Sequence, residues 1–146
     1  MEYKNIICPI DGSELSDKVE DAGVYISKIS GAKIILLNVV EKWYRSTHMA
    51  TDSAEWQNIH KNWLNEGKEL LEREADKLKK RGAKDVEIIL RDGDAAHEII
   101  ALAIEQKANL IIMATHRYSP VGKFFMGSVT DKVTKSAPCP VLSVFK

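Results

Sequence analysis

Several protein classes are excluded by what this sequence lacks. It holds two cysteines, Cys8 and Cys139, too few for a disulfide framework and not arranged as the Cys-x-x-Cys pairs of zinc or redox sites. Both read as buried or half-buried free thiols. Charge of one sign is not in excess: 21 Lys plus Arg balance 21 Asp plus Glu, so the basic footprint of a nucleic-acid binder is missing. Long hydrophobic runs are missing too. The strongest, Ile34 to Val40 and Leu110 to Ala114, are far shorter than the roughly 18 residues of a membrane span. The N-terminus starts Met1-Glu2-Tyr3-Lys4 without a basic start, apolar stretch and small-residue cleavage site, which reads as cytoplasmic. With 45% apolar and 29% charged residues, the chain is neither disordered nor fibrous. Its 146 residues suit one domain, 1–146, able to bury about two thirds of its unfolded surface.

The apolar pattern alternates between two periods. Residues 4 to 10 form a β-rich run closed by the turn signal Asp11-Gly12-Ser13, with Ser13 placed to cap a helix. Leu15, Val19, Ala22, Ile26 and Ile29 then recur at helical steps up to Gly31, a natural C-terminal stop. Ile34 to Val40, apolar except for Asn38, reads as a strand buried on both faces. The stretch from Glu41 to Ser53 is longer than a usual connection, long enough for a lid or a loose excursion. Trp56, Ile59, Trp63, Leu70, Leu71, Ala75 and Leu78 mark a long amphipathic helix that ends near Lys79-Lys80-Arg81-Gly82. Gly67 is out of place inside it. Trp56 and Trp63 suit core packing better than a partner surface. Val86 to Leu90 is a third strand, Asp94 caps a third helix, and Leu110 to Met113 is a fourth strand. Ser128-Val129-Thr130-Asp131 has a capping-box pattern that opens a last helix, and Pro140 to Phe145 is a final strand. Strict β and α alternation points to a parallel sheet, doubly wound, with its ligand crevice beyond the carboxyl ends of the strands at the switch point.

The loops after strands one, two and four therefore hold the candidate chemistry. Gly127 and Ser128 stand at a helix start, where free N–H groups and the positive end of the dipole can hold a phosphate, although such a serine commonly serves as a cap alone. Gly122 to Gly127 has the glycine spacing of a P-loop, but Ser128 occupies the position of its lysine, which excludes that motif. Asp11 can accept hydrogen bonds from a base or ribose, or fix its own turn. Arg117 and Lys123 can pair with phosphates or stay solvated. The histidines 48, 60, 97 and 116 share no metal-ligand spacing, so no metal site is expected. No serine sits in a nucleophile elbow, and no catalytic constellation is visible.

Together, Asp11-Gly12-Ser13, Leu37-Asn38-Val39-Val40, Gly93-Asp94, Ile111 to His116, Gly127-Ser128-Val129 and Ala137-Pro138-Cys139-Pro140-Val141-Leu142 form a pattern that resembles the universal stress protein family over essentially the whole chain. The resemblance implies a single doubly wound α/β domain, adenine nucleotide alpha-hydrolase-like, with five parallel strands in the order 3-2-1-4-5. It also implies homodimers formed through the last strand and, in one branch, ATP in the crevice. On that branch's pattern Asp11 contacts the nucleoside and Val39 or Val40 lines the adenine pocket. Its phosphate loop reads Gly, two residues, Gly, nine residues, then Gly-Ser or Gly-Thr. Here Gly127-Ser128 is kept, with Val129 following, but the two earlier glycines are replaced by Ala114 and Arg117. Glycine in such loops permits positive φ and close approach to phosphate. Arg117 either fills the crevice or places a guanidinium on the phosphates.

The resulting expectation is a stress-response regulator that binds ATP, or AMP or ADP, with or without Mg²⁺. The alternative is a dimeric stress protein that binds no nucleotide and works through protein contacts. Slow ATP hydrolysis is a third reading, weak because phosphoryl transfer needs positioned metal, cation and water-orienting groups.

Overall fold

The computed structural model describes residues 2–41, 54–115 and 127–145. The long connection at 42–53 with His48, and the segment 116–126 with His116, Arg117 and Lys123, lie outside the described residues. The elements run β1 (Asn5–Pro9), α1 (Glu14–Ser30), β2 (Lys33–Val40), α2 (Ala54–Lys80), β3 (Val86–Asp92), α3 (Ala95–Glu105), β4 (Leu110–Thr115), α4 (Ser128–Ser136) and β5 (Val141–Phe145).

Five strands form one sheet in the order β3-β2-β1-β4-β5, and every pairing is parallel. This is the expected doubly wound order. The chain moves outward from β1 to β2 and β3, then returns to the other side of β1 with β4, so the switch point lies between the carboxyl ends of β1 and β4.

Two-residue alternation along the strands supplies two apolar layers. Ile6, Cys8, Ile34, Leu36 and Ile112 pack with Val19 and Val24 of α1 and Leu71, Ala75 and Leu78 of α2. Ile7, Ile35, Leu37, Ile111 and Met113 pack with Ile99, Leu102 and Ala103 of α3 and Val133 of α4. Trp56 is buried, edge-on to Trp63 at 5.7 Å between centroids. Two carboxylates join the first layer: Glu20 of α1 and Glu74 of α2 are both buried, with a carboxylate oxygen of each within 4.8 Å of the other.

The helix ends follow the sequence in part. Gly31 closes α1 in a left-handed conformation, φ 78°, its N–H donating to the Ser27 carbonyl. Asp94 caps α3 by accepting the His97 N–H at 3.0 Å. Two expected caps differ. Ser13 holds the cap position of α1 but makes no side-chain cap bond; its N–H is drawn instead to Asp11 Oδ1, at 2.9 Å. At α4 the cap is Gly127, and Ser128 is the first residue inside the helix. The Gly127 N–H is bonded to Thr115 Oγ1 at 3.0 Å and its carbonyl accepts the Asp131 N–H at 2.9 Å, so the helix starts one residue earlier than a Ser128 cap would allow.

Candidate functional site

A crevice of about 750 Å³ opens at the switch point, a size that suits a small-molecule ligand. Ile10, Asp11, Ser13 and Ser16 line it from the β1–α1 turn, Leu37 and Val39 from β2, Ala95 and Ile99 from α3, Met113 and Ala114 from β4, and Val129 and Thr130 from α4. Of the expected residues, Asp11, Val39, Ala114 and Val129 are thus brought together around one space.

The polar centre of the crevice is the Asp11 turn. Gly12, at φ +84°, makes the tight bend that follows the aspartate. The Asp11 N–H donates to Ser16 Oγ at 2.9 Å, and the Ser16 hydroxyl donates back to Asp11 Oδ1 at 2.9 Å. With the Ser13 N–H on the same oxygen, the turn is locked while Asp11 stays exposed at the rim. Burial pushes the Asp11 carboxyl up, but the bonds from Ser13 and Ser16 outweigh it and hold the group below the ordinary carboxylate range. It is an acceptor at neutral pH.

Val40 is not part of this wall. Successive side chains of a strand point to opposite faces, so Val39 goes with Leu37 toward α3 while Val40 is buried on the opposite face. Of the two valines, Val39 lines the crevice. Ala114 occupies its place without strain: among the described residues Lys107 is the one non-glycine with positive φ, so this position has no need of glycine's left-handed freedom. At α4, the Gly127 N–H is already taken by Thr115 and is not free for a phosphate. Ser128 is exposed and does not line the crevice. The N–H groups of Ser128, Val129 and Thr130 belong to the first helical turn, where no acceptor exists within the helix.

Sequence reasoning missed Ser16 and Thr130. The Thr130 hydroxyl donates to the Ala114 carbonyl at 3.4 Å, tying α4 to the end of β4. Ser16 stands one helical turn beyond Ser13, a spacing that offered a signal; Thr130 offered none, because its partner comes from another element. The pair His60 Nε2 and Asp92 Oδ2, 2.7 Å apart, was equally hidden. Among the described lining residues Asp11, Glu14 and Glu41 are acidic, and neither lysine nor arginine occurs.

The sequence model of the Universal stress protein family matches residues 2–144. Universal stress protein YxiE of Bacillus subtilis is 30% identical over 147 residues, spanning 97% of this chain and 99% of that protein. A universal stress protein of Methanocaldococcus jannaschii is 32% identical over 144 residues, spanning 99% of this chain and 83% of that one. In three dimensions the universal stress protein UspA from Lactobacillus plantarum is similar with a TM-score of 0.84 at 23% identity, covering 99% of both chains. Two more distant structures of the same fold hold nucleotides of their own. The Archaeoglobus fulgidus universal stress protein was solved with dAMP (TM-score 0.69, 20% identity, 98% of each chain). An Arabidopsis thaliana family protein was solved with AMP (TM-score 0.69, 18% identity, 98% of this chain and 92% of that one). The family match over nearly the full length, together with relatives at 30% identity and above, shows that this chain belongs to the universal stress protein family.

Proposed function

We propose that the chain binds an adenine nucleotide, ATP or its hydrolysis products AMP and ADP, in the switch-point crevice and acts as a stress-response switch. The observation that carries this reading is the meeting, at one opening, of an apolar wall and a locked acceptor. Val39, Ile99 and Met113 offer a surface for a flat base, and Asp11, ionised and exposed, offers an acceptor for nucleoside hydroxyls. At the start of α4, Val129 and Thr130 line the crevice, and their N–H groups, which have no acceptor within the helix, suit phosphate oxygens. Ala114 lets the chain pass close by, as its conformation asks nothing of glycine. The nucleotide complexes of the Archaeoglobus and Arabidopsis proteins support the same ligand class.

Phosphate charge sets the main constraint. The described lining residues are acidic or neutral, so a triphosphate needs Mg²⁺ or the cations Arg117 and Lys123 of the segment 116–126 to offset its repulsion. AMP needs the least compensation. In the same proposal a second copy pairs along β5, an edge strand whose Leu142 is 38% exposed and whose free backbone groups invite cover. No helix among the described residues is long and apolar enough to cross a membrane, and we place the protein in the cytoplasm.

The test is calorimetric titration of stripped protein with AMP, ADP and ATP, with and without Mg²⁺, repeated on Arg117→Gly. One saturable site per chain supports the proposal; weaker ATP binding by the variant assigns Arg117 to the phosphates, and stronger binding shows that it obstructs them. No heat with any nucleotide in the natural chain, and binding restored by Arg117→Gly, favours the reading in which this protein works through its surfaces.

A further inference from the structure

Asn38 interrupts the apolar run Ile34 to Val40 at a half-buried position that borders the crevice, where a polar group needs a partner. Its Nδ2 donates to the Ile10 carbonyl at 2.8 Å, and the Ile10 N–H donates to the Leu37 carbonyl at 2.8 Å. Both backbone polar groups of Ile10 are therefore held by β2, one residue before Asp11. On its other side Asn38 meets α2 at Gly67, a buried glycine in the middle of a 27-residue helix, where glycine weakens the helix. A Cβ there would lie 2.6 Å from Asn38 Oδ1 and 2.9 Å from Leu90 Cδ1. The misplaced glycine and the misplaced asparagine explain each other: the helix gives up a side chain so that Asn38 fits beneath it.

We infer that Asn38 is a positioning residue for the crevice: seated against Gly67 and bonded to Ile10, it fixes the peptide from which Asp11 reaches a ligand. The Ile10 carbonyl and the Asp11 N–H belong to one planar peptide unit. Asn38 of β2 holds its oxygen, and Ser16 of α1 holds its N–H. Clamped from both sides, the plane cannot rotate, and the direction in which Asp11 leaves the strand is set. The consequence for ligand affinity rests on the nucleotide reading; the clamp itself exists without a ligand.

The test measures amide hydrogen exchange in the ligand-free full chain, and AMP affinity by calorimetry, for wild type and Asn38→Ala, each with and without Asp11→Ala. Exchange at the Asp11 and Ser13 amides is expected to rise about tenfold in Asn38→Ala, the worth of one ordinary hydrogen bond, while Ile112 in β4 keeps its protection. The AMP dissociation constant is expected to rise by about the same factor, and Asp11→Ala is expected to abolish that rise, since Asn38 acts through Asp11. A purely structural role would loosen Ile112 as well and leave the two substitutions additive in affinity. Unchanged exchange at Asp11 overturns the inference. If wild type binds no AMP, the nucleotide reading falls while the exchange result still decides the clamp. Should Asn38→Ala fail to fold, Gly67→Ala displaces the same side chain and is held to the same exchange outcome.

Discussion

Against α3 and α4 the sheet presents Ile7, Ile35, Leu37, Ile111 and Met113 to Ile99, Leu102, Ala103 and Val133, an almost wholly apolar layer. Against α1 and α2 the same strands present an equally apolar set. Among the described residues the first face buries only the hydroxyls of Thr115 and Thr130, whereas here the buried layer takes in the carboxylates Glu20 and Glu74 with Ser16 and Ser27, and Asn38 is half-buried at its upper end. Buried polar groups cost stability unless each finds a partner: Ser27 donates to the Ala32 carbonyl at 2.7 Å and Lys77 to Glu74 at 2.6 Å, while Glu20 Oε1 is buried without one among the described residues. The first face supplies the apolar wall of the crevice through Leu37, Val39, Ile99 and Met113, and the second aims the acceptor, through Asn38, Ser16 and the turn they hold.

The contrast breaks most sharply at Leu102 of α3, fully buried against the sheet. Leu102→Ala should cost about 2–5 kcal/mol in urea unfolding; a loss well under 1 kcal/mol would mean that this face collapses easily and is no rigid wall. Glu20→Gln should act in the opposite direction. Burial first, and then the neighbouring Glu74 carboxylate, push the Glu20 carboxyl up to about 8, so between the ordinary 4.5 and 8 the folded chain keeps a proton that the unfolded chain releases. Stability from this group is complete below the lower value and declines as pH rises through the window. Glu20→Gln keeps the shape, removes the decline and should gain about 1–3 kcal/mol near pH 9; a variant whose melting curve keeps the same pH slope would locate the proton elsewhere. Glu74, held low by Lys77 and Glu20 in spite of burial, adds the reverse slope at acid pH.

Two smaller substitutions sharpen the comparison. Alanine normally strengthens a helix interior by about 1 kcal/mol over glycine, but Gly67→Ala should lose about 1–3 kcal/mol, because the added carbon meets Asn38. Chemical denaturation decides the sign. Asp94→Ala, which removes the cap of α3, should cost about 1 kcal/mol in chemical denaturation; no loss would mean that the bond to the His97 N–H carries no weight.

Helix faces and the Asp94 and Gly31 caps were legible because period and capping chemistry are local, whereas the strand order, a non-local property, was given by the family resemblance. Asp11 was legible because crevices of this topology lie past the strand ends, while Val39, Ala114 and Val129 were named through the family resemblance; all four line the crevice. The alternation that separates Val39 from Val40 needs a strand register, which comes from pairing with β1 and β3. Ser128 looked like a cap because the competing bond from Gly127 to Thr115 joins residues twelve apart. Glu20 with Glu74, and Asn38 with Gly67, are pairs whose members sit on different elements: the two glutamates gave no signal in helices that suit them, Asn38 and Gly67 each looked merely ill-suited to its element, and the packing of α2 on the sheet supplied the reason.

The central claim, that one crevice with an apolar wall and a fixed acceptor receives an adenine nucleotide, is tested most directly by methyl and amide NMR of the stripped protein titrated with AMP. The account predicts saturable shifts at Val39, Met113, Ala114 and Val129 and at the Asp11 amide, with Val86 and Ile88 of β3 unmoved. No shifts at millimolar AMP, or shifts gathered on the β3 edge, would contradict it.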